Sequence, residues 1–113
     1  MLARKNRVVS ADDYRATVRS GRKSGSRFVT VYVRSPGSSS QSRFGFIVSK
    51  SIGNAVQRNL MRRRLKSVCA GILGTVPSGV DFVIRLLPGA AQAPWANLEQ
   101  EITGTLARGM AKL

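Results

Sequence analysis

The chain has 113 residues, of which 42% are hydrophobic, and this is enough apolar material for one modest core. Nineteen Lys and Arg residues against five Asp and Glu residues give a formal net charge of +14, which favours a polyanionic partner such as nucleic acid. One cysteine and no histidine exclude a disulfide, imidazole metal ligands and catalytic pairs that need histidine. No apolar run approaches the roughly 20 residues that span a bilayer. We therefore expect a cytoplasmic protein with no membrane partner.

A basic segment and a short helix are predicted at the N-terminal end. Residues 1–9 contain three basic side chains, so we expect a flexible arm that adds salt-dependent contacts to nucleic acid. Ser10 followed by Ala-Asp-Asp is typical of a helix cap with acids in the first turn. Gly21 is placed to end this helix, and the polar residues 21–26 predict a flexible loop after it.

Three strands are predicted in the middle of the chain. Residues 28–33 form a β-branched and aromatic run that is typical of a strand. A serine-rich loop over residues 35–42 separates this run from a second predicted strand, residues 43–49, and together they suggest an antiparallel hairpin. Residues 79–86 predict a third, central strand. Alternation places Val29, Val31 and Val33 on one face of the first strand, with Phe28, Thr30 and Tyr32 on the other.

Two further helices are predicted, one from about Ala55 to Leu73 and one from Trp95 onward. With about 100° per residue, the first of them has an apolar side and a basic side. We expect Arg64 to lie at the edge of the core and Cys69 to be a small buried hydrophobe. The order helix, strand, strand, helix, strand, helix predicts one sheet with helices packed on it, in the α+β class. The apolar side comprises Leu60, Met61, Leu65, Val68 and Ile72, and the basic side comprises Arg58, Asn59, Arg62, Arg63 and Lys66.

The segment from Ser49 to Lys66, with the sequence SKSIGNAVQRNLMRRRLK, resembles the signature helix of the bacterial ribonuclease P protein subunit. The resemblance extends over nearly the whole chain. It implies a single domain over residues 1–113, a two-layer α/β sandwich of order α-β-β-β-α-β-α with a small mixed sheet. It also implies a left-handed βαβ crossover, against the usual right-handed rule. The further matching segments are Asn6-Arg7, Asp13-Tyr14, Gly21, RFGFIVS from Arg43 and DFVI from Asp81.

The resemblance implies a noncatalytic protein subunit of a ribonucleoprotein endonuclease. In that family a catalytic RNA removes the 5′ leader from precursor tRNA, and magnesium ions are held mainly by the RNA. The implied partners are the catalytic RNA and precursor tRNA, with a monomeric protein in a one-to-one complex with the RNA. The residues agree with this, because phosphodiester hydrolysis requires clustered carboxylates or a histidine, and the segment between Asp13 and Asp81 contains neither.

The resemblance also implies two sets of binding residues. One set lies near the catalytic RNA, and the other lines a leader cleft between the first helix and the open face of the sheet, where unpaired bases can stack on aromatic rings. Leu60 stands where the family motif has a basic residue, and Val18 stands where an aromatic residue is common. The first set is Lys50, Gly53, Asn54, Arg58, Asn59, Arg62, Arg63 and Lys66, and the second set is Tyr14, Val18, Thr30 and Tyr32.

Two other classes of function stay open from the residues alone. A structural RNA-binding module of the ribosomal kind fits the size and charge equally well. A protein-only nuclease would need a metal ion held by Asp12, Asp13 and Asp81, although capping and strand-end roles also explain these carboxylates. Tyr14 and Tyr32 are likewise explained as core aromatics with their hydroxyl groups at the edge.

Overall fold

In the computed structural model, which describes residues 2–35 and 41–113, three helices pack on a four-stranded mixed sheet. The chain order is α-β-β-β-α-β-α, which confirms the order that the resemblance implies and the α+β class. Residues 36–40, part of the predicted serine-rich loop, lie outside the described residues. The elements are α1 (Ala11–Ser20), β1 (Arg22–Gly25), β2 (Val29–Arg34), β3 (Arg43–Ile47), α2 (Ala55–Ile72), β4 (Asp81–Leu86) and α3 (Trp95–Ala111).

The sheet has the strand order β1-β2-β4-β3, so β4 is a central strand, as predicted. It is antiparallel to β2 and parallel to β3. The predicted hairpin between β2 and β3 is therefore wrong, because β4 lies between them. The physical reason is that every residue of β4 except Arg85 is buried, and a strand buried on both faces belongs in the interior of a sheet. The left-handed sense of the β3-α2-β4 crossover stays a prediction.

Strand β1 forms where a flexible loop was predicted, so that prediction is wrong. Its polar sequence carries no strand signal, and the strand is stabilised by pairing with β2 and by side chains from α3. Lys112 Nζ donates to the carbonyl of Lys23 at 2.6 Å, and Arg108 Nη2 donates to the carbonyl of Gly25 at 3.3 Å. These contacts are non-local, and for this reason the local sequence pattern did not reveal the strand.

The N-terminal segment packs along the opposite edge of the sheet, beside β3. Asn6 Nδ2 donates to the backbone carbonyl of the residue before β3 at 2.9 Å, and the Val8 N–H donates to a carbonyl within β3 at 2.9 Å. Leu2, Asn6 and Val8 are all buried. The flexible arm expected for residues 1–9 is thus corrected over the described residues 2–9, because apolar burial and these hydrogen bonds hold the segment in place.

The two faces of the sheet differ in character. Helices α2 and α3 cover the apolar face, where Phe44 and Phe82 stack with ring centroids 4.9 Å apart. Helix α3 approaches closely at Gly109, where an added Cβ would lie 2.8 Å from Val33 Cγ2. Cys69 is fully buried on this side, as predicted, and burial raises the pKa of its thiol. Helix α1 packs on the other, polar face and covers only part of it.

Candidate nucleic-acid interface

Helix α2 begins at a capped turn. Asn54 Oδ1 accepts from the Gln57 N–H, and Gln57 Oε1 accepts from the Asn54 N–H, both at 2.9 Å. Gly53 is needed before the cap because an added Cβ would collide with the Gln57 side chain. Lys50 is exposed in the short 3-10 turn Lys50–Ile52 that precedes them. The Asn54 oxygen is therefore used as the helix cap, which leaves its Nδ2 amide as the group that can donate to a ligand.

The basic side predicted for α2 faces away from the core, and we call Arg58, Asn59, Arg62, Arg63 and Lys66 the α2 basic face. Asn59 and Arg63 are exposed, and the other three are partly buried. Arg62 is oriented by two hydrogen bonds, from Nη1 to Asn59 Oδ1 at 3.1 Å and from Nη2 to a backbone carbonyl at 3.3 Å. Across the described residues, no carboxylate forms an ion pair with this helix. Its charge is left available to attract a phosphate backbone.

The α2 basic face continues onto the N-terminal segment. A groove of about 680 Å³ between the two is lined by Arg7 together with Arg63 and Lys66. Arg7, expected on a flexible arm, therefore stands beside two of the predicted RNA-binding residues. Arg64 lies on the other side of the helix with its guanidinium 5.0 Å from the centroid of the Trp95 ring, which confirms its predicted place at the edge of the core.

The register of the sheet arranges its polar face in three rows across β2, β4 and β3. Arg34, Asp81 and Arg43 form the aspartate row at one end, and Thr30, Arg85 and Ile47 form the arginine row at the other. Between them lie Tyr32, Val83 and Gly45. The Tyr14 ring of α1 rests against Gly45, where an added Cβ would lie 2.6 Å from it, and the Tyr14 hydroxyl accepts from the Phe46 N–H at 3.0 Å.

A groove of about 350 Å³, the α1 groove, separates α1 from the arginine row. Tyr14 and Val18 of the predicted leader cleft line it. The other two predicted residues, Thr30 and Tyr32, are only 6% and 7% exposed. The Arg85 guanidinium lies 5.9 Å from the centroid of the Tyr32 ring, so Arg85 covers the surface that Tyr32 was expected to offer. The lining residues are Tyr14, Arg15, Val18, Arg19, Ile47 and Arg85.

Sequence reasoning missed the four other lining residues of the α1 groove, although two signals for them exist. Arg85 and Asp81 are the two charged residues of an otherwise apolar strand, and alternation along β4 places both on the polar face. Arg15 and Arg19 are four residues apart on α1 and therefore share one side of that helix. The groove thus presents three arginines to a ligand.

The aspartate row is a network of opposite charges. Arg43 donates to the fully buried Asp81 carboxylate twice, from Nε at 2.8 Å and from Nη2 at 2.7 Å, and Arg34 Nη2 donates to it at 3.1 Å. Asp13 of α1 accepts from Arg43 Nη1 at 3.1 Å. The hydrogen bond to Asp81 raises the pKa of the Arg43 guanidinium. Two arginines and two carboxylates balance, so this end of the face contributes no net charge.

A metal site is missing from the part of the chain that the structure describes. The carboxylates do not fit a magnesium site, because Asp13 and Asp81 accept from arginines, Asp12 pairs with Arg15, and no group of three or more potential ligands is placed to hold a metal ion. The geometry therefore does not support the protein-only nuclease.

Across residues 2–35 and 41–113, no helix is both long and apolar enough to cross a membrane.

The distribution of charge defines the class of protein. Asp81 and Asp13 neutralise the two arginines around them, whereas the arginines of α2, and Arg19 and Arg85 of the α1 groove, form no ion pair among the described residues. A fold that balances its internal charges and leaves two exposed surfaces strongly positive is that of a small basic nucleic-acid-binding protein.

Comparisons with known proteins identify the family. The Ribonuclease P family model matches residues 2–109. The chain is 47% identical over 110 residues to the Ribonuclease P protein component of Clavibacter michiganensis subsp. michiganensis, with 97% of each chain covered. It is 42% identical over 113 residues to that of Pseudarthrobacter chlorophenolicus, which covers 100% of this chain and 83% of the relative. The solved RNase P protein of Staphylococcus aureus has the same fold, with a TM-score of 0.84 at 20% identity over 90% of this chain and 93% of that one.

The chain belongs to the ribonuclease P protein family, which confirms the resemblance seen in the sequence. It is a protein subunit of ribonuclease P, the endoribonuclease that processes the 5′ ends of tRNA. The chain is therefore assigned to this family, and not to the structural RNA-binding modules of the ribosomal kind that the residues alone left open.

Proposed function

We propose that the protein binds the catalytic RNA of ribonuclease P through the α2 basic face, and the 5′ leader of precursor tRNA through the α1 groove. The particle contains one protein and one RNA, acts in the cytoplasm, and cleaves at an active site formed by RNA. The observation that carries this proposal is the separation of charge. Carboxylates neutralise Arg34 and Arg43 inside the fold, while the α2 basic face has no ion-pair partner among the described residues.

The α2 basic face is suited to a structured RNA backbone. Arg62 is already oriented by its hydrogen bonds to Asn59 and to a backbone carbonyl, so less side-chain entropy is lost when it binds phosphate. Lys50 and the amide groups at the start of α2, next to Gly53 and Asn54, add donors at the same end of the helix. Leu60, where the family motif has a basic residue, packs against the core, so its role is in the fold.

The α1 groove is suited to a single strand of varied sequence. Arginines can follow a phosphate backbone while the Tyr14 ring offers a face on which any base can stack, and neither contact reads a base edge. In this proposal Thr30 and Tyr32 support Arg85 from below, and Val18 contributes an apolar contact. Leaders that differ in sequence would therefore be bound alike.

Magnesium belongs to the RNA in this proposal, because the protein's own carboxylates do not fit a site for it. No chemical step is assigned to a protein side chain. The protein instead supplies fixed cations where two RNA molecules approach, and these replace part of the mobile counterions that the RNAs would otherwise need. We therefore expect its effect to be largest when magnesium is scarce.

The first test is cleavage of a 5′-extended precursor tRNA at physiological magnesium. Reactions would contain the matching catalytic RNA with the protein, the RNA without the protein, and the protein without the RNA. We expect efficient cleavage at the mature 5′ end only when both are present. Cleavage by the protein alone, or an equal rate with and without the protein, would contradict the proposal.

The second test addresses the α2 basic face. Arg63 is exposed and makes no hydrogen bond or ion pair among the described residues, so Arg63→Ala should leave folding unchanged. It should reduce the slope of log affinity for the catalytic RNA against log salt by about one unit or less. Arg22→Ala removes the same charge from β1, at the edge of the sheet opposite β3, and should leave the slope unchanged. Equal effects of the two variants would mean that net charge, rather than this face, binds the RNA.

A further inference from the structure

The first turn of α1 is fastened to the sheet by two consecutive residues. The Asp13 carboxylate accepts from Arg43 at 3.1 Å and lies 3.8 Å from Arg34 Nη2. The next residue, Tyr14, accepts a hydrogen bond from the backbone of β3 at 3.0 Å. Both arginines are held in turn by the buried Asp81 carboxylate. The start of α1 is thereby attached to β2 and β3 at the aspartate row.

The α1 groove begins beside this attachment and runs along one side of the same helix, from Tyr14 to Arg19. Asp13 and Val18 are five residues apart, or about 8 Å along the helix axis. On the sheet, Asp81 and Arg85 are four residues apart, or about 13 Å along the strand. The start of the helix is thus fastened at the aspartate row, and the side of the helix that runs from Tyr14 to Arg19 forms one wall of the groove opposite Arg85. A change in how the start of α1 is held alters the separation of the two walls.

We propose that Asp13 is a positioning residue for the leader: by its contacts with Arg43 and Arg34 it sets the distance between α1 and the arginine row. This inference rests on the proposed role of the α1 groove. Asp13 touches no groove residue through its carboxylate, so its effect on the leader passes through the placement of α1.

Asp13 is separable from the rest of the network. Asp81 already receives two hydrogen bonds from Arg43 and one from Arg34, so the cross-strand part of the network is complete without α1. The Asp13 side chain is 36% exposed, whereas that of Asp81 is fully buried. Removing the charge of Asp13 therefore leaves the Asp81 carboxylate with all three of its hydrogen bonds, and it loosens α1 without disrupting the sheet.

The neighbouring Asp12 is a matched control. It belongs to the same first turn, so Asp12→Asn and Asp13→Asn change the net charge and the interaction with the helix dipole alike. Asp12 pairs with Arg15 of α1 itself and has no link to the sheet. A difference between the two variants therefore reports the attachment of α1 to the sheet.

The experiment measures how strongly the reconstituted holoenzyme prefers precursor tRNA to mature tRNA, together with amide hydrogen exchange of the free protein. Asp13→Asn should reduce the preference about two- to fivefold, the range expected for a partly exposed ion pair. It should also speed exchange in α1 more than in α3. Asp12→Asn frees Arg15 of the groove from its ion pair, so it should keep or raise the preference and leave exchange in α1 unchanged. Both variants should bind the catalytic RNA as the wild type does. Tyr14→Phe, which keeps the ring and removes the second attachment, should change both measurements in the same direction as Asp13→Asn.

The outcomes separate this inference from the proposed function. A wild-type holoenzyme with no preference for the leader-bearing tRNA would overturn the role of the groove itself. A wild-type preference that Asp13→Asn leaves intact would overturn the positioning role alone. Equal effects of the Asp12 and Asp13 variants would also overturn the positioning role. So would an Asp13→Asn variant in which amide exchange is faster in all three helices while the preference is unchanged.

Discussion

The two faces of the sheet use alternate residues of the same strands for opposite purposes. On the apolar face beneath α2 and α3, each side chain contributes to one core. On the polar face beneath α1, the character changes along the strands, from a charge-balanced aspartate row to an arginine row whose charge has no described carboxylate partner. In the proposed function, the apolar face therefore determines stability, and the polar face divides stability and binding between its two ends.

This comparison separates structural arginines from those that we propose bind RNA. Arg34, Arg43 and Arg85 all lie on the polar face and all are partly buried, so burial does not distinguish them. The buried Asp81 carboxylate does, because it pairs with Arg34 and Arg43 but not with Arg85, which is left to a ligand in the proposed function. A buried acid within hydrogen-bond distance is the local feature that assigns an arginine to the fold.

The largest expected effect is that of Asp81→Asn. Arg34 and Arg43, whose side chains are only 22% exposed, would lose the charge that they share. Removing one partner of a buried ion pair costs about 3 kcal/mol of the free energy of unfolding. Urea unfolding would measure this, with Glu99→Gln, an exposed carboxylate on α3, as the control that should change nothing. Unaltered stability of the Asp81 variant would break the distinction between the two ends of the polar face.

Next in size is the effect of Val33→Ala on the apolar face. Val33 is 1% exposed and lies against Gly109 of α3, so truncation leaves a cavity worth about 2 kcal/mol of unfolding free energy. Affinity for the catalytic RNA should not change while the protein is folded. Val9→Ala removes the same atoms at a position that is 61% exposed, so it should leave the melting temperature unchanged. A loss of RNA affinity in folded Val33→Ala would show that the faces are not independent.

Arg85→Gln tests the open end of the polar face. We expect binding of leader-bearing precursor tRNA to weaken about fivefold, or about 1 kcal/mol, while stability changes by less than about 1 kcal/mol. Arg27→Gln is the matched control, because Arg27 also lies over an aromatic ring, that of Phe28 at 5.0 Å, but outside the α1 groove. Fluorescence binding titrations would compare the two. If binding of precursor tRNA weakened equally in both variants, the loss of positive charge alone would explain the effect.

The smallest expected effect concerns Cys69 on the apolar face. Because burial raises the pKa of its thiol, the folded protein keeps the proton that the unfolded chain releases above the ordinary thiol pKa of about 8.5. The contribution to stability is present below that pH and declines as the pH rises, by less than about 1 kcal/mol between pH 8 and 9. The free energy of unfolding of the wild type, measured with urea, should therefore fall faster as the pH rises than that of Cys69→Ala. Parallel declines would mean that the thiol titrates in the folded state.

Elements with strong local signals could be predicted from the sequence. The Ser10 Oγ accepts from the Asp13 N–H at 3.0 Å, as expected of a helix cap. The β-branched run of β2 and the two-sided pattern of α2 carry equally local information, because each depends on spacing within one element. The same holds for the α2 basic face, whose members follow from helical periodicity.

Features that depend on register could not be predicted. The aspartate row joins residues 34, 43 and 81, which lie on three strands and meet only because β4 lies between β2 and β3. Strand β1 and the packed residues 2–9 depend on distant partners in the same way. The buried position of Tyr32 beneath Arg85 also follows from register, and for this reason the predicted stacking surface is covered.

The side chains that hold β1 have a consequence for how the free protein behaves in solution. The Ser26 N–H donates to the Val29 carbonyl, so alternation turns the backbone groups of Lys23 and Gly25 outward, away from β2. Arg108 and Lys112 occupy those two carbonyls, and residues 6–8 run along the opposite edge of the sheet. An open strand edge is a template for pairing with another chain, and here part of each edge is already taken. The protein is thereby protected from polymerising through its sheet in the interval before it meets RNA.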